Sequence, residues 1–356
     1  MNKTIPFLLL WSLVLLSGAC SGEDTPVADG DLVPLQPGIH ASATLVSSRT
    51  LVNDIGTSGG QINSIGIYLT ALDGSLYPGS SATRTTFTKG SGTSWSSTPA
   101  TYVSLQTARL YAWSPAGTAL TGTGSGTTLP TLPVSVPSTQ SFDGANDYGC
   151  SATDYLYGSG SSAQASSTAI TANSQNATPT IYLQHALAQL VFCIQNASDR
   201  PADAQYDYVK LIQLVGEGTA KPFLTGTSGR MSLADGTLTG LTATNALAFT
   251  ATANPQKVGT SGAVTVAYGL VAPKTAAASG TKVTLNLRLG EAGTSVGATT
   301  DRLLTLSTDV FNQAWTPGNQ YIYTLTLGKR GLTLQSAEIV PWTTETTVSK
   351  DMDPEW

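Results

Sequence analysis

Apolar residues in this chain recur mainly at every second position, in runs of four to nine residues cut by Gly, Ser, Thr and Pro. That period is the signature of half-buried strands, and no long stretch repeats apolar residues at helical spacing. "KVTLNLRLG" (282–290) is the clearest case: Val283, Leu285, Leu287 and Leu289 share one face, with Thr284, Asn286 and Arg288 on the other. In "WTPGNQYIYTLTLGKRGLTLQSAEIVPW" (315–342), Tyr321, Tyr323, Leu325 and Leu327 share a face, "GKRG" makes a turn, and a second strand runs to Trp342. "IYLQHALAQLVFCIQN" (181–196) is apolar on both faces over Leu190–Ile194, as a strand inside a sandwich would be. The pattern predicts further strands at 38–50, 64–72, 206–216, 263–273 and 302–308, and two short ones within 101–115.

Residues 116–180 read mostly as loop, dense in Gly, Ser and Thr with prolines clustered at 130–137. Many short strands joined by Gly-rich turns predict an all-β chain of packed sandwiches, not a parallel sheet. The number of strands suits two of them. Pro201 and the polar stretch "NASDRPADAQ" (196–205) mark the expected boundary. The organisation expected is a signal peptide at 1–19, a tether at 20–37, one sandwich over 38–200 and a second over 201–356 with a C-terminal tail.

The chain's 356 residues leave room for two domains. Charged residues make up 11%, against roughly 25% in ordinary soluble domains. A net charge of −5 offers no basic patch for nucleic acid.

The N-terminus changes the picture most. Lys3, an apolar run from Ile5 to Leu16 and the small residues Ser17, Gly18 and Ala19 form a sorting signal, too short to span a bilayer as a mature helix. Cys20 follows at once, which favours a bacterial lipoprotein signal with Cys20 as the lipidated (palmitate-bearing) first residue. Ser17 stands where the usual lipobox has Leu. Glu23 and Asp24 resemble the tag that sends some lipoproteins of Bacteroidia-type bacteria to the outer face of the outer membrane. Export makes a disulfide between Cys150 and Cys193 chemically open, and the sequence does not decide it.

Catalytic signals are missing from the sequence. There are two histidines, His40 and His185, and no CxxC, GxSxG or Walker loop. Asp154 in "SATDYLYG" reads as a turn or structural acid, and His185 as a histidine making a structural hydrogen bond. A non-enzyme without metal or cofactor is expected.

Six segments in order resemble the fimbrillin-like proteins, pilus subunits of Bacteroidia-type bacteria: "SIGIYLTA" (64–71), "ARLYAWSP" (108–115), "TDYLYG" (153–158), "HALAQLVFCI" (185–194), "WTPGNQYIYTLTL" (315–327) and "AEIVPW" (337–342). The resemblance implies two tandem transthyretin-like (Greek-key) β-sandwiches at the cell surface, assembled by strand exchange. In that family a lipidated precursor completes its own first sandwich with its first strand. A protease cuts after an Arg or Lys beyond that strand, the strand leaves, and a neighbour's C-terminal strand fills the groove by β-augmentation. Carried over, Cys20 is the outer-membrane anchor, and Ile39, Ala41, Ala43 and Leu45 belong to the removable strand (39–46). Arg49, the first Lys or Arg after Lys3, is the cleavage residue. The donor is either the strand ending at Trp342 or the tail "TTETTVSKDMDPEW" (343–356), whose acidic, weakly alternating sequence makes a poor donor. Partners would be other subunits in a stalk, tip or anchor position, and a host or bacterial surface ligand if the subunit is adhesive.

A second reading, from a different class, is a surface glycan-binding lipoprotein. It would need an exposed aromatic platform, for which Trp95, Tyr102, Tyr148, Tyr155 and Tyr157 are the candidates.

Overall fold

In this computed structural model, residues 32–341 are described apart from 42–61, 82, 91–93, 123–127, 144–148, 165, 201–205, 252–254, 277–279 and 293–300. The chain is all-β, and beyond strands the one regular element named among the described residues is a 3-10 turn at Val310–Asn312. In chain order the strands are β1 (Val33–Pro34), β2 (Gly38–Ala41), β3 (Ser64–Ala71), β4 (Thr85–Lys89), β5 (Trp95–Ser97), β6 (Tyr102–Val103), β7 (Ala108–Ser114), β8 (Thr131–Val136), β9 (Thr139–Asp143), β10 (Gly149–Cys150), β11 (Leu156–Ser159) and β12 (Ile170–Ala172). The second half continues with β13 (Thr180–His185), β14 (Ala188–Asn196), β15 (Tyr208–Gly216), β16 (Phe223–Ser232), β17 (Leu238–Thr239), β18 (Thr242–Thr244), β19 (Ala246–Ala251), β20 (Val264–Val271), β21 (Val283–Gly290), β22 (Arg302–Thr308), β23 (Asn319–Gly328) and β24 (Gly331–Pro341).

One sheet runs β2-β13-β11-β7-β3-β4-β5, with β12 added against β7. Its apolar face builds the smaller core, around Ile39, Ile65, Ile67, Leu69, Phe87, Trp95, Leu110, Ile181 and Leu183. The larger core lies between two sheets, β10-β9-β19-β15-β21-β22 and β20-β14-β23-β24. Rings meet across it: Phe192 of β14 lies 5.6 Å from Phe249 of β19, and Phe142 of β9 lies 6.4 Å from Tyr268 of β20. The alternations read from sequence do this work. Val283, Leu285, Leu287 and Leu289 are all buried, as are Tyr321, Tyr323, Leu325 and Leu327. β14 sits inside its sheet between antiparallel β20 and parallel β23, and its first five residues are buried on both faces, as the apolar run from Leu190 requires.

Three features depart from the sequence reading. The stretch 116–180 carries β8 to β12, and β8 alternates strictly: Leu132, Val134 and Val136 are buried. Pro133 is tolerated because, among the described strands, β8 forms a ladder only with β16, its other side carrying a single bridge from Thr131 to Thr121. The run at 181–196 is two strands, broken at Ala186–Leu187, so that the chain passes from the first sheet to the second in two residues. β16 to β19 were not expected. β16, "FLTGTSGRMS", hides behind its glycines and hydroxyls, where Gly226 adopts φ 133° and the register against β8 shifts between Gly226 and Gly229.

Candidate functional site

The first described strands lie at the edge that strand exchange would use. β2 pairs in parallel with β13, Ile39 opposite Ile181 and Ala41 opposite Leu183. Ile39 is buried, in one cluster with Leu35, Ile181 and Leu183, while His40 is exposed, its ring 5.3 Å from that of Tyr182 and tilted by 30°. Backbone bonds fix the approach: Leu35 N–H donates to Thr101 O (2.8 Å), Gln36 N–H to Ala177 O (2.9 Å) and Gly38 N–H to Pro179 O (3.0 Å). β1 adds a short antiparallel pair with β6. This segment therefore extends the sheet beyond β13 and adds Leu35 and Ile39 to its apolar core. Taking it away would bare one edge of β13 and the side chains of Ile181 and Leu183, at a cost of about 1.5–3 kcal/mol for each large apolar side chain re-exposed. Of the residues assigned to the removable strand, Ile39 and Ala41 lie in β2, whereas Ala43 and Leu45 fall outside the described residues, as do Cys20 and Arg49.

β24 is the outer strand of the other end. Among the described residues it pairs only with β23. A register shift between Thr324 and Leu325 brings Ile339 opposite Tyr321 and Ala337 opposite Tyr323. Both tyrosines are buried, yet Ile339 is 56% exposed. The core side of β24 thus opens progressively, from buried Leu332 through half-buried Leu334 to exposed Ile339, in the direction of the tail. Trp342 and residues 343–356 fall outside the described residues.

Several other polar side chains bond within the fold. His185 Nδ1 meets both carboxylate oxygens of Asp154 at 3.1 and 3.0 Å, with both side chains buried. Gln164 reinforces that place, accepting from His185 N–H at 3.2 Å and donating to His185 O at 3.0 Å. The pair locks the end of β13 just where the chain crosses to β14. Cys150 and Cys193 are free thiols: Cys150 Sγ donates to Gln140 Oε1 (3.1 Å), and Cys193 lies 3.5 Å from Thr265 Oγ1. Burial pushes both thiols up, which keeps them protonated and unreactive. No three His, Cys, Asp or Glu among the described residues are grouped to hold a metal, and none of the described helices is long and apolar enough to cross a membrane. Of the aromatic platform candidates, Trp95, Tyr155 and Tyr157 are buried, Tyr102 is exposed and Tyr148 falls outside the described residues. The aromatics that sequence offered for a glycan surface mostly build the cores.

Lys274 was not anticipated. Its Nζ lies 4.6 Å from the centre of the Trp315 ring, is buried and has no hydrogen-bond partner. Burial pulls its pKa down to about 8. The unfolded chain, with a lysine near 10.5, therefore binds more protons than the folded one between about pH 8 and 10.5, so stability rises with pH across that window. Lys274→Met is expected to stabilise the protein at pH 7 by about 1–2 kcal/mol, a figure discounted for partial solvent screening and for the lost ring contact. The gain should shrink to nothing near pH 10.5, as measured by urea unfolding of both forms at several pH values.

Comparison with known proteins follows the same lines. The family model of fimbrillin-like proteins matches residues 52–342. A crystal structure of a candidate cell adhesion protein from Bacteroides uniformis is similar at 16% identity and a TM-score of 0.52, over 87% of this chain and 99% of that one. Another, from Bacteroides ovatus, is similar at 14% identity and a TM-score of 0.51, over 88% of this chain and 99% of that one. At such identities the likeness concerns the fold alone. No curated protein matches the chain in sequence.

Proposed function

This chain belongs to the fimbrillin-like family, and we propose that it is a subunit of a cell-surface fimbria, exported as a lipoprotein through Cys20 and assembled by strand exchange after cleavage at Arg49. On this reading the two cores are two tandem sandwiches, and the first is completed by β2 until the precursor is cut. One observation carries the reading. Among the described residues β2 is the first strand longer than two residues, and it is an edge strand whose buried Ile39 pairs with Ile181, so its loss would open an apolar groove along β13 without disturbing any strand between. Arg49 lies eight residues beyond Ala41, on the side of the chain where a cut frees β2 from everything that follows. The open, outermost β24 leads straight into the C-terminal tail, so a donor can leave this subunit without unpicking its core.

The test uses the purified precursor and an arginine-specific protease. We expect a new N-terminus at Thr50 and, after cutting, ladders that resist SDS without heat. Arg49→Ala should abolish both. A cut form that stays monomeric while the intact form binds a polysaccharide would favour the glycan-binding alternative instead.

A further inference from the structure

Seven large apolar side chains are exposed among the described residues, and four of them, Leu32, Leu72, Tyr102 and Leu105, fall at one pole of the smaller core. The register puts them there. Val33 pairs with Val103 and Pro34 with Tyr102, so Leu32 comes in beside Ser104 and Leu105. Ala71 pairs with Ala108, which brings Leu72 to the same end. Tyr77 ties the two loops together, its hydroxyl donating to Gln106 O (2.9 Å) and accepting from Ser104 N–H (2.9 Å). Leu72 and Leu105 are 55% and 56% exposed, and it is their gathering with Leu32 and Tyr102 at one pole, not their single exposure, that marks a contact surface. Segments 32–36, 71–77 and 101–106 hold no Lys or Arg, and their single acid, Asp73, is turned onto the Ser75 amide and hydroxyl at 2.9 and 2.7 Å.

We propose that this pole, Leu32, Leu72, Tyr102 and Leu105, is a membrane-contact surface that rests on the lipid of the bilayer while the precursor is anchored. The described residues begin at this pole, with Leu32. Eleven residues lie between Cys20 and Leu32, and even fully extended the chain between these two reaches no more than about 43 Å. The inference rests on the lipoprotein reading of Cys20 for that geometry. Leucines beside a tyrosine, with no basic residue, suit the interface of an uncharged lipid surface and have no use for anionic headgroups. Such contact would also hold β2 and Arg49 near the membrane until the cut.

The test does not depend on natural acylation. The purified chain from Cys20 onward is coupled through that thiol to a maleimide-bearing lipid in phosphatidylcholine vesicles, with benzoylphenylalanine in place of Leu72, Leu105 or, as a control, exposed Ser198. Irradiation should give about tenfold more lipid adduct at positions 72 and 105 than at 198, unchanged by adding anionic lipid. Equal lipid adduct at all three positions, no adduct at 72 and 105, or adduct to a second copy of the chain in place of lipid would each overturn the proposal. Palmitate labelling of the wild type beside Cys20→Ala, in cells, reports separately on the lipoprotein reading: its failure removes the anchor without touching the vesicle result.

Discussion

Asp207→Ala is expected to destabilise the protein by about 3–5 kcal/mol, a large part of the stability of any ordinary domain. Asp207 is fully buried, and its Oδ1 accepts from Arg200 Nη1 at 2.7 Å. Arg200 also donates to Asn196 Oδ1 at 2.5 Å and to Tyr206 O at 3.3 Å. The cluster joins the end of β14 to the start of β15, across the polar stretch read as a boundary. Removing the carboxylate leaves a guanidinium buried without its counter-charge, and the remaining carbonyl acceptors cannot replace it. Removing both charges should hurt far less. The double variant Arg200→Met with Asp207→Leu should recover most of the loss, since two apolar side chains of similar bulk avoid desolvating any charge. Urea midpoints at constant slope would read this directly. A loss under about 1 kcal/mol for Asp207→Ala, or a double variant as unstable as the single, would refute the assignment.

The second large effect is expected at Gln140. β20 is an outer strand, paired through Leu270 with Gln189 of β14. On its free side Leu270 finds the side chain of Gln140, which accepts from Leu270 N–H at 2.9 Å and donates to Leu270 O at 2.5 Å. The amide side chain stands in for a missing strand and ties β9 to β20 across the larger core. The neighbouring position is glycine for a related reason: a Cβ on Gly269 would lie 2.5 Å from Gln140 Oε1 and 2.4 Å from the Phe249 ring. Gln140→Leu fills the space yet orphans a buried N–H and a buried C=O, each costing about 1–3 kcal/mol. A total near 3 kcal/mol is expected in denaturant unfolding, with faster exchange of the Leu270 amide. An unchanged Leu270 amide would show that another group satisfies it.

These two sites also show where reading the sequence stops. The strands with large apolar residues at every second position, such as Val283 to Leu289 and Tyr321 to Leu327, were legible because period and contrast are both strong. β19, "ALAFTA", alternates equally well, with Leu247, Phe249 and Ala251 buried, but the alanines between them blur the contrast. β8 was masked by its prolines, and β16 by glycine. Pairings are a different matter. His185 and Asp154 lie 31 residues apart, and Gln140 and Leu270 lie 130 apart, and nothing local in either segment names its partner. Asp154 and His185 were read as structural, each alone, and the fold brings them together. The candidate exchange site was legible only in half: Ile39 is buried and His40 exposed, as an alternating strand would have them, but the pairing with β13 is parallel, a direction no single-strand pattern reveals.

The central claim is that β2 is a temporary occupant of the β13 edge. Hydrogen exchange over the segment containing Thr180–His185, followed by mass spectrometry, tests it most directly. The outward amides of β13 should be protected in the precursor, lose that protection once the chain is cut after Arg49 and β2 departs, and regain it in the assembled polymer. If they stay protected throughout with β2 still bound after cutting, or stay open in the polymer, strand exchange at this edge is contradicted.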